Sequence, residues 1–70
     1  MYEYQVMKGD HAVKFCEEKL QSYSSKFDLK AVSRVEIYSA NRADDGDDYF
    51  EVRVIDSRDT VILLRRMLEI

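Results

Sequence analysis

The chain has no proline and no tryptophan, and only two glycines, one cysteine and one histidine in 70 residues. A single cysteine excludes an intrachain disulfide. One histidine and one cysteine fall short of the four protein ligands of a structural zinc site. No apolar run approaches the roughly 20 residues of a membrane-spanning helix. With so little proline and glycine and 46% hydrophobic residues, the composition is that of an ordered chain, and no linker, repeat or low-complexity segment interrupts it. Glu3 and Lys8 break any apolar start that a secretory leader would need. With the lone cysteine, this makes a reducing, cytoplasmic setting the expected one.

What is present is charge. Lys and Arg number 11 against 14 Asp and Glu, for a net charge of −3. Such a field repels nucleic acid and anionic membranes, so neither is an expected partner. The length suits one domain spanning residues 1–70. A chain this small buries roughly 60% of the surface its unfolded form exposes and is marginal alone. Without a disulfide or a metal, self-association is the remaining source of stability.

Tyr2-Glu3-Tyr4-Gln5-Val6-Met7 alternates, with Tyr2, Tyr4 and Val6 on one pleat, and reads as a first strand. Lys8-Gly9-Asp10 breaks it, and Asp10 is placed to cap a helix. From His11 to about Ser25 the period changes to three and four residues through Ala12, Phe15, Cys16, Leu20 and Tyr23, and on to Phe27. That is an amphipathic helix ending in the weak helix formers Ser22 to Ser25. Leu29 to Ala40 reads as a strand with Val35 and Ile37 on one face and Arg34, Glu36 and Tyr38 on the other. Asp45-Gly46 is a favoured hairpin tip inside the polar stretch from Asn41 to Asp48. Tyr49 to Ile55 returns, with Phe50, Val52 and Val54 toward the core.

The segment Thr60-Val61-Ile62-Leu63-Leu64 follows a short turn at Asp56-Ser57-Arg58-Asp59. Its β-branched residues favour a fourth strand, with a C-terminal helix from about residue 58 as the alternative. The expected fold is α+β in two layers, one helix on a mainly antiparallel four-stranded sheet in the order β-α-β-β-β; the alternative is β-α-β-β-α. A strand apolar on both pleats needs cover on both faces, and one helix covers only one.

Three stretches carry a family resemblance. They are the opening Met1-Tyr2-Glu3-Tyr4-Gln5-Val6, the segment Lys26-Phe27-Asp28-Leu29-Lys30-Ala31-Val32 entering the second strand, and the closing Ile62-Leu63-Leu64-Arg65-Arg66. In these the chain resembles the domain-of-unknown-function family 4177 of small bacterial and phage proteins. Where that family carries Gly-Trp, this chain has Lys26 and Phe27. The resemblance implies a strand at the C-terminus and a bacterial or phage origin. It supplies no catalytic residues.

Asp44-Asp45-Gly46-Asp47-Asp48 lacks the alternating ligand spacing of a calcium loop and reads as a solvated tip. His11 has no nucleophile at a readable spacing, and Cys16 lies on the apolar helix stripe. No catalytic, metal or cofactor site is therefore expected, and the chain does not read as an enzyme. The sheet face away from the helix is the candidate. A non-enzymatic interaction module would self-associate there or bind another protein, a host protein if phage-borne, with Tyr38, Tyr49, Arg53 and Leu63 as anchors. On this reading Leu63→Glu abolishes assembly. The alternative is a small anionic ligand, such as a nucleotide, held by Arg34, Arg53, Arg65 and Arg66.

Overall fold

A computed structural model describes residues 2–41 and 48–68. The elements are β1 (Tyr2–Lys8), α1 (Asp10–Lys19), a 3₁₀ segment (Gln21–Lys26), a 3₁₀ turn (Leu29–Ala31), β2 (Val32–Asn41), β3 (Asp48–Asp56) and β4 (Val61–Met67). The strands form one sheet in the order β1-β2-β3-β4, and every neighbouring pair is antiparallel. The fold is thus α+β, with α1 laid on one face of a four-stranded sheet. The closing segment is a strand, as its β-branched residues favour, and the C-terminal helix alternative does not form. The tip expected at Asp45-Gly46, and the acidic run up to Asp47, lie outside the described residues.

The helix starts one residue earlier than the capping pattern suggests. Gly9 is its N-cap at φ 58, and its carbonyl accepts from the N–H groups of Ala12 and Val13. Asp10 instead occupies the first turn, where a carboxylate complements the helix dipole. α1 ends at Lys19, and the serine-rich stretch that follows tightens into the 3₁₀ segment. Asp28 then accepts from the backbone N–H of Lys30 at 2.9 Å, which holds the short turn at Leu29–Ala31 and delays β2 to Val32.

The core lies between α1 and the sheet. Ala12, Cys16 and Leu20 from the helix meet Val35, Ile37, Val52, Val54 and Leu63. The register puts Met7, Val35, Val54 and Leu63 in one row across this face. Leu63 is 5% exposed. Two register shifts disturb the ladder. One leaves Ser33 extra on β2 between Val32 and Arg34; the other leaves Ile62 extra on β4, opposite Val54 and Ile55. The second bulge lets consecutive residues Ile62 and Leu63 both pack against the core cluster. The β3–β4 turn is held by Asp56, whose carboxylate accepts from the N–H groups of Arg58 and Thr60, both at 2.9 Å. Asp59 takes the left-handed conformation at φ 67, which a short polar side chain tolerates.

Candidate functional site

The alternation of each strand that buries Val35, Ile37, Val52 and Val54 lifts the intervening residues onto the opposite face. No helix of the described chain covers that face. Read across the sheet from β1 to β4, it has three registered rows. Lys8, Arg34, Ile55 and Val61 form the first. Val6, Glu36, Arg53 and Leu64 form the second, and Tyr4, Tyr38, Glu51 and Arg66 the third.

Two carboxylates organise its centre. Glu36, only 12% exposed, accepts from the Tyr4 hydroxyl, the Tyr38 hydroxyl and the Arg34 Nε, each at 3.1 Å. Burial pushes its carboxyl up, but donation from Arg34, Tyr4 and Tyr38 outweighs that and leaves it below the ordinary glutamate value. Glu51 accepts from Arg53 through Nε at 2.9 Å and Nη2 at 2.6 Å, and from Arg66 Nε at 3.5 Å. The two nodes are joined where the Arg53 guanidinium lies over the Tyr38 ring, 4.7 Å from its centroid. The Tyr4 and Tyr38 rings stand 4.8 Å apart.

Glu36 holds its proton less tightly in the folded protein than in the unfolded chain. Its contribution to stability is fully present above the unfolded glutamate value, 4.5, and is lost as pH falls through the lower folded value. Unfolding free energy measured in urea from about pH 6 down to about pH 3 is therefore expected to fall less steeply in Glu36→Gln than in the parent. Equal slopes would mean that Glu36 is not held by these donors in solution.

Ile55 is 2% exposed although it belongs to the open face. It sits between the two bulged neighbours, opposite Arg34 on one side and Val61 on the other. Arg34 Nη2 also pairs with Asp59 Oδ1 at 2.5 Å, which ties β2 to the β3–β4 turn. At this end an open groove of about 750 Å³ runs along Tyr4, Val6 and Lys8 beside Arg34.

The structure brings together Arg34, Tyr38, Tyr49, Arg53 and Arg66 on the open face, with Tyr49 paired to Ala40. It does not place Leu63 or Arg65 there, which corrects two expected site residues. Both are opposite core-facing residues of β3, Leu63 against Val54 and Arg65 against Val52. Leu63 is therefore buried under the helix layer, and Arg65 lies over the Tyr23 ring at 4.9 Å. The four arginines expected to gather are split, three on one face and one on the other. Sequence reasoning missed Tyr4, Val6 and the central role of Glu36, and left open which side of β4 joins this face. The alternation of β1 did mark Tyr4 and Val6 as sharing a pleat, but not which pleat met the helix.

Exposed large apolar side chains are Tyr4, Val6, Val61, Leu64 and Leu68. The first four stand on the two edge strands and share the open face. Among the described residues no three His, Cys, Asp or Glu side chains gather in a way that could hold a metal ion. Burial, then the charge of Glu17, pushes the Cys16 thiol up to about 11, and the residue packs in the core between helix and sheet. No helix among the described residues is long and apolar enough to cross a membrane. Comparison with family models, with curated proteins and with solved structures finds no match to the chain.

Proposed function

We propose that the protein is a non-enzymatic interaction module that self-associates through the open face of its sheet. The observation that carries this reading is the placement of Tyr4, Val6, Val61 and Leu64, exposed together around a centre whose charges are already paired. Such a surface loses apolar exposure on association without stranding a buried charge. Tyrosine and arginine, the side chains enriched at protein interfaces, are concentrated on it. The anionic-ligand reading is less well supported. Arg34 is engaged by Glu36 and Asp59, while Arg53 and Arg66 share Glu51, so an incoming anion would have to displace a carboxylate from each.

Thermal melting separates the two. A self-associating module is expected to melt at a temperature that rises with protein concentration and does not respond to added nucleotide. A melting temperature independent of concentration but raised by nucleotide would reverse the assignment.

A further inference from the structure

The open face is complementary to itself under one particular symmetry, and we infer that two copies stack on this face about a two-fold axis parallel to the strands. This inference rests on the self-association reading above and adds the geometry. An axis along the strands, centred between β2 and β3, places β1 over the partner's β4 and β2 over the partner's β3. Each row then faces the same row read in reverse. In the middle row Val6 meets the second copy's Leu64, and Glu36 meets its Arg53. In the next, Tyr4 meets Arg66 and Tyr38 meets Glu51, a ring under a guanidinium and a hydroxyl beside a carboxylate. In the remaining row the aliphatic stems of Lys8 and Arg34 lie over Val61 and Ile55.

The alternative two-fold, perpendicular to the strands, stacks each strand on its own copy. Along the middle row it sets Glu36 against Glu36 and Arg53 against Arg53, like charge on like charge. Charge therefore selects the first axis. The area suffices as well. Strands about 4.8 Å apart, rising about 3.3 Å per residue over seven residues, make a face of roughly 450 Å² in projection. Side-chain relief adds to this, and two copies together reach the low end of specific interfaces, roughly 1,200 Å². A second copy also matches the face's mixed charge better than a strongly basic or acidic partner would.

The test uses two exposed edge positions, so that neither variant is expected to unfold. Val6 is 38% exposed and Leu64 43%. They lie on opposite edges of one subunit but face each other across the inferred axis. Val6→Lys alone and Leu64→Glu alone each set a charge against an apolar side chain twice per dimer, and each is expected to sediment as a monomer. Mixed in equal amounts, they are expected to regain the dimer mass, because one interface site then pairs Lys with Glu and the other keeps Leu64 on Val6. A parent that dimerises while the mixture stays monomeric, or variants that each dimerise like the parent, would overturn the stacking and leave self-association standing. A parent that is itself monomeric would overturn both.

Discussion

Leu63→Glu is expected to unfold the protein, while Leu64→Glu, one residue on, is expected to leave the fold intact and remove assembly. The two side chains differ only in which pleat of β4 they occupy. Leu63 is 5% exposed, opposite Val54 and inside the cluster with Leu20 and Val52. A carboxylate there would be buried among apolar side chains and costs about 4 kcal/mol or more. That is close to the whole stability of a marginal small domain. Leu64 stands 43% exposed on the open face, where a single polar substitution changes the isolated fold by less than about 0.5 kcal/mol. Far-UV circular dichroism with urea titration reads the first effect and sedimentation the second. A folded Leu63→Glu protein together with an unfolded Leu64→Glu protein would mean that β4 pairs in the opposite register.

The second large effect is expected from Leu20→Ala. Leu20 is fully buried, and its backbone N–H bonds to the Cys16 carbonyl where α1 gives way to the 3₁₀ segment. Its side chain is among the largest of those fully buried and packs in the cluster that joins α1 to β2 and β3. Truncation removes the transfer energy of the lost atoms and leaves a cavity, for a loss of about 2–5 kcal/mol. The urea midpoint is expected to drop accordingly with little change in slope. A loss under about 1 kcal/mol would mean that the site collapses around the smaller residue or that the helix packs elsewhere.

The alternation of Val35 with Ile37 and of Phe50, Val52 and Val54 was legible because those strands are apolar on one pleat and polar on the other. Period and polarity then agree about which face is inside. The helix stripe Ala12, Cys16, Leu20 was legible for the same reason at a different period. The orientation of β4 was not, since Val61 to Leu64 is apolar throughout and gives no contrast between pleats. The bulge at Ile62 compounds this, because it turns two successive residues to the core and no strict alternation anticipates that. The orientation of β1 was hidden differently. Its more apolar pleat, with Tyr4 and Val6, faces away from the helix, and Met7 is the residue that packs inward. Glu36 was hidden because its partners come from two strands. Tyr4 reaches it only after β1 and β2 pair, 32 residues apart in sequence.

The most direct measurement is sedimentation equilibrium of the parent protein at micromolar concentration. The expected mass is twice the 8.3 kDa of one chain, falling toward one chain on dilution. A mass of one chain at every concentration, with the open face accessible to solvent throughout, would contradict the account.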